Sequence, residues 1–101
     1  MTDTINMYIN KIIMYFNGIE TKAYHYEDRI ETEHGHIFKS LSDMYNIYRQ
    51  PVDEKNVEQL LKRTNGISRH EIIALLQMNE GEIFNALVDI LKKYGKKSIK
   101  K

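Results

Sequence analysis

A chain of 101 residues that is 42% hydrophobic and 29% charged supports one modest core and excludes a disordered polymer. With no cysteine it has no disulfide framework and no cysteine-based zinc site, and with no apolar run near ~20 residues it reads as a soluble cytoplasmic protein without a membrane partner. The net charge of +1 hides an asymmetry: residues 1–49 carry five Lys/Arg and seven Asp/Glu, residues 50–101 carry ten and seven, and six lysines lie between Lys92 and Lys101.

In chain order, Ile5, Tyr8, Ile9, Ile12, Ile13, Phe16 and Ile19 follow the three–four spacing of a helical face. Thr2, Asp3 or Thr4 would cap that helix, and Asn17-Gly18 would end it. The face is too wide for a small monomer to cover, so Ile5, Ile9, Ile12, Ile13 and Phe16 are expected to form a homodimer surface. From Tyr26 through Ile30, His34, Ile37, Leu41 and Tyr45 to Tyr48 a second helical path runs through Gly35, and one long helix is expected. Two alternatives stay open: a turn before a helix from about His36 to Arg49, or a hairpin turning at His34-Gly35 with Tyr24, Tyr26 and Ile30 in strands.

Pro51 stops that element, and Val52-Asp53-Glu54 starts the next with Asp53 as cap. That helix runs through Leu60 and Leu61 to Asn65-Gly66. Two further starts follow eleven residues apart, at Ser68 and at Asn79. Each cap has a glutamate three residues on, Glu71 and Glu82, and a staple pair around it, Ile67 with Ile72 and Met78 with Ile83. The spacing predicts helices over 68–77 and 80–94, the second contributing Ile83, Phe84, Ala86, Leu87, Ile90, Leu91 and Tyr94 to the core. A single helix over 68–94 also fits the periodicity, but Asn79 and Gly81 argue for a break. The expected fold is all-α: a helical arm or hairpin over 1–49, a three-helix helix-turn-helix unit over 50–95 and a basic tail over 96–101.

The stretch Ser68-Arg69-His70-Glu71-Ile72-Ile73-Ala74, followed by the corner and Ala86-Leu87-Val88-Asp89-Ile90-Leu91-Lys92-Lys93-Tyr94-Gly95, resembles the core of bacterial and archaeal winged-helix regulators. The resemblance implies a small DNA-binding regulator acting as a homodimer on double-stranded DNA, with helix 80–94 as the reading helix. In that family the glycine after this helix leads into a two-stranded wing; here only Lys96 to Lys101 follow Gly95, so a basic tail is expected in its place. Glu80 and Glu82 repel phosphate at the helix start, which shifts the expected contacts elsewhere. Arg63, Arg69, His70, Lys92, Lys96 and Lys97 are the candidate DNA contacts, and Asn85 is the candidate base reader. A helical protein-binding adaptor or inhibitor of the same fold is the alternative.

Other constellations carry less. Glu31 and His34 copy a di-iron spacing, but no second set exists in the chain, so no metal or cofactor is expected. The seven tyrosines fit core edges better than a stacking platform. No phosphate loop, nucleophile elbow or Ser/His/Asp arrangement is visible, and no enzyme is expected.

Overall fold

The structure, a computed structural model, describes residues 9–16 and 18–100. The chain divides between Arg49 and Gln50 into two compact units. The first holds an antiparallel sheet in simple chain order, β1 (Asn10–Phe16), β2 (Ile19–His25), β3 (Ile30–Thr32) and β4 (Ile37–Phe38), followed by helix α1 (Leu41–Tyr48). The second holds helices α2 (Glu54–Arg63), α3 (Arg69–Met78) and α4 (Ile83–Tyr94), with a 3-10 turn at Lys96–Ser98. Among the described residues no helix is long and apolar enough to cross a membrane.

The sheet overturns the all-α expectation. Where a helix is predicted over the first nineteen residues, β1 and β2 pair in continuous register from Asn10↔His25 to Phe16↔Ile19. Lys11 to Phe16 is rich in β-branched and aromatic side chains, which favour a pleated surface. The Asn17-Gly18 pair between the strands is a hairpin signal rather than a helix end, and Gly18 takes φ +76°, a region that glycine reaches without strain. The long helix over 23–48 is likewise replaced. The alternative hairpin at His34-Gly35 forms, with β3 and β4 as its arms, and only Leu41–Tyr48 is helical, started by Ser40, whose Oγ accepts from Asp43 N–H at 3.1 Å. Glu31 therefore lies on a strand, bonded to Arg29 Nε at 2.6 Å, and the helical Glu31/His34 spacing does not exist.

Alternation sets the two faces of the sheet. Met14, Thr21, Ala23, Ile30 and Thr32 are buried on one side, with Ile12 and Phe16 half-buried, while Lys11, Ile13, Tyr15 and Glu20 on the other are exposed. Helix α1 contributes Met44 and Tyr48 to the buried side. The Tyr48 ring meets Phe16 and Phe38 edge-on at 5.6 and 5.5 Å. Its hydroxyl lies 2.9 Å from Thr32 Oγ1 and 2.8 Å from His36 Nδ1, so the phenol ties helix to sheet through polar bonds in a buried place. Burial pushes the Tyr48 hydroxyl well above its ordinary range, against the smaller opposing effect of the Thr32 bond.

In the second unit Val57 and Leu60 of α2, Ile67, Ile72, Leu75 and Leu76 around α3, and Ala86 and Ile90 of α4 form one core cluster. Ala86 is fully buried, and its small side chain lets α4 lie close to its neighbours. The unit's buried polar groups are satisfied locally: Gln77 Nε2 donates to Gln50 O at 2.9 Å, and Thr64 Oγ1 donates to Leu60 O at 2.8 Å.

Candidate nucleic-acid interface

Two of the three expected helix starts in this unit form as the sequence implies. Asp53 Oδ1 accepts from Lys55 N–H at 2.9 Å and Ser68 Oγ accepts from Glu71 N–H at 3.1 Å. Glu71 accepts from Lys93 Nζ at 3.0 Å and from Tyr94 Oη at 2.5 Å, joining the start of α3 to the end of α4. Partial burial works against the Lys93 charge, but these bonds outweigh it and raise the Lys93 pKa; burial and then Glu71 raise that of Tyr94.

The third start departs from expectation. The chain does break between α3 and α4, but α4 begins at Ile83, and Asn79 closes α3 rather than opening α4. Asn79 Nδ2 donates to Leu75 O at 2.8 Å and to Asp89 Oδ2 at 2.9 Å, so one amide ties the end of α3 to the middle of α4. Glu80 and Gly81 turn the corner at φ +55° and +83°, a conformation that glycine tolerates and glutamate resists. Asn79→Ala is expected to destabilise the unit by ~1 kcal/mol through the two lost bonds. Ser68→Ala is expected to cost about the same through its lost cap. Chemical denaturation of both single variants checks this; a stabilised Asn79→Ala would mean that α3 and α4 run on as one helix.

On α4, Ala86 and Ile90 face the core, so Asn85 and Lys92, about 100° and more around the helix, point outward and are exposed. Seven residues separate them, two turns or ~10 Å along one face. Phe84, Leu91 and Tyr94, expected in the core, are instead 74%, 42% and 42% exposed. They fall beside the outward face, where the three–four pattern also holds and where periodicity alone cannot tell a second stripe from the first.

The basic tail is not frayed. Asn65 N–H donates to Ser98 O at 2.8 Å, Lys100 N–H donates to Arg63 O at 2.7 Å, and Thr64 and Ile99 form an antiparallel bridge. Ser98 is buried, and Asn65 Nδ2 adds a bond to Lys97 O at 3.2 Å. The segment after α4 is thus paired with the link between α2 and α3. The one signal for this was Ile99, the single apolar residue among the tail lysines. An open concavity of about 420 Å³ results, floored by Leu87 and Ile99 and edged by Lys62, Arg63 and Lys100.

The candidate contacts separate into two groups. Arg69 is clasped by Glu54 and Glu58 of α2, so its charge is spent within the unit, and His70 is half-buried. Arg63, Lys92, Lys96 and Lys97 are exposed, and the bridge brings Lys62 and Lys100 beside them. None of these six has a carboxylate partner among the described residues. Glu80 and Glu82 are exposed at the opposite end of α4. Of the expected dimer residues, Ile5 lies outside the described residues, Ile9 and Ile13 are 70% and 51% exposed, Ile12 is half-buried, and Phe16 packs 5.7 Å from Tyr45. Ile12, Ile13 and Phe16 lie on a strand, not on a helical face, and Ile9 directly precedes that strand.

Comparison of the chain with protein-family models, with curated proteins and with solved structures gives no match.

Proposed function

We propose that this chain is a small homodimeric regulator that binds double-stranded DNA through its helical unit. The observation that carries the reading is the pairing of Ser98–Lys100 with Arg63–Asn65, which sets Lys62, Arg63 and Lys100 around one concavity, with Lys92, Lys96 and Lys97 exposed on the end of α4 and the turn after it; none of the six has a carboxylate partner among the described residues. Phosphates are held by such clusters irrespective of sequence. The segment after Gly95 occupies the place where a wing begins in the regulators that the sequence resembles. Asn85, outward on α4, supplies the bidentate donor and acceptor that read adenine, and Phe84 beside it supplies an apolar contact for a thymine methyl. The homodimer rests on the exposed Ile13 of β1 and the exposed Ile9 just before it.

A salt titration of binding to mixed duplex DNA tests this. The expected result is a slope equivalent to about four to six phosphate contacts. Replacing Lys96, Lys97 and Lys100 by alanine is expected to lower affinity on all duplexes and to flatten the slope by about three contacts. Asn85→Ala is expected to relax preference at one base pair only.

A second reading, the protein-binding adaptor, is favoured by the exposed Phe84 and Leu91, since aromatic side chains left in water mark partner surfaces. Absence of duplex binding at low salt replaces the first reading with the second.

A further inference from the structure

We infer that two copies of this chain join their sheets edge to edge through β1, in antiparallel pairing about a two-fold axis at Ile13. This supplies a surface for the homodimer proposed above and rests on that part of the reading alone.

Among the described residues the sheet order leaves β1 with a strand partner on one side only. Which of its backbone groups face the open side follows from the bonds of β2. Glu33 N–H donates to Lys22 O at 2.9 Å, so Lys22 directs its backbone toward β3 and away from β1. Ile13 is the register partner of Lys22 and therefore directs its own N–H and C=O away from β2. Lys11 and Tyr15, two residues to either side, do the same. Three residues thus offer six backbone groups along an open edge.

Edges of this length are ordinarily blunted by a proline, a bulge, a row of charges or a short strand. Here β1 runs seven residues in unbroken register, with no proline and one charge, Lys11. The opposite edge is protected by its shortness, since β4 has two residues.

The occupant is a second copy because the strand complements itself. Pairing about Ile13 sets Ile13 against the second copy's Ile13, two half-exposed apolar side chains that cover one another. It sets Ile12 against Met14 on the buried face. It sets Lys11 against the second copy's Tyr15, never against another Lys11. The Tyr15 hydroxyl donates to Glu20 Oε1 at 3.3 Å, so the Lys11 ammonium crosses an aromatic ring toward a carboxylate. Each copy makes this contact once, as a two-fold interface requires.

The test uses the full chain. Sedimentation of the wild type is expected to show a dimer in the micromolar range, and Ile13→Lys, which opposes two ammonium groups at the axis, is expected to weaken it at least about tenfold. The site is half-exposed, so far-UV circular dichroism and melting are expected to match the wild type. Ile13→Cys is the second variant, in a chain that has no cysteine of its own. A short bis-maleimide is expected to link two copies through Cys at 13 much faster than through Ile37→Cys, equally accessible on the far edge of the sheet and ~30 Å away in the paired dimer. A wild type that stays monomeric at high micromolar concentration overturns both the edge pairing and the homodimer, and leaves the DNA reading to its salt slope. A dimer that survives Ile13→Lys, or equal linking rates at the two positions, overturns the edge pairing and leaves the homodimer to another surface. Should Ile13→Lys fail to fold, the two linking rates decide.

Discussion

Leu76→Ala is expected to cost the helical unit about 3 kcal/mol, the largest loss from any single truncation considered for this chain. Leu76 is fully buried on α3, within the cluster that includes Val57, Leu60, Ile72 and Ile90. Three helices close around that position, so the side chains that would have to collapse into the vacated space belong to separate elements and cannot follow far. A loss of this size takes most of the stability available to a unit of about fifty residues. Denaturant titration of the variant checks it. A loss below about 1 kcal/mol would mean that the core around α3 is loosely packed.

Tyr48→Phe is expected to cost about 2 kcal/mol, although it removes one oxygen. That oxygen is shared by Thr32 Oγ1 and His36 Nδ1, and its removal deletes both of these bonds between helix and sheet in a buried place. The same residue gives the sheet unit an alkaline limit. Burial raises the folded pKa of Tyr48 above the unfolded value near 10. The group is neutral in both states below that pH, so the stability it contributes is fully present there. As pH rises above ~10 the unfolded chain gives up the phenolic proton more readily than the folded one, and that stability declines. Denaturation at pH 8 and pH 11 is expected to show a steeper alkaline loss in the wild type than in Tyr48→Phe. Parallel losses in the two proteins would refute the assignment to Tyr48.

The second half of the chain was legible because its signals are local and chemically specific. Asp53 and Ser68 cap where side-chain oxygens meet free N–H groups, and Pro51 and Gly66 flank helices where they should. The first half is ambiguous because Ile9, Ile12, Ile13 and Phe16 fit a helical face by spacing, while their β-branched and aromatic types favour a strand. Asn17-Gly18 held the deciding information, since the same dipeptide ends a helix or turns a hairpin according to what flanks it. At Asn79 the capping pattern was complete and the cap was still absent. A side chain that can reach a carbonyl behind it and a carboxylate ten residues ahead had a better use than the N–H groups beside it. The cation cluster was half visible: composition shows the lysines, but only the backbone pairing of Ile99 with Thr64 brings Lys100 to Arg63.

The Arg69 clasp makes ionic strength a mechanical variable for this protein. One guanidinium bridges Glu54 and Glu58 on α2 from the first turn of α3, at a largely exposed place where added ions screen it. Raising salt therefore loosens the join between two helices over the same range in which it would weaken the proposed phosphate contacts of the cation cluster. Under the proposed duplex binding, electrolyte acts by two routes, competition at the surface and slackening of the scaffold behind it. A melting curve recorded along the same series separates them, since the first leaves the transition in place and the second moves it.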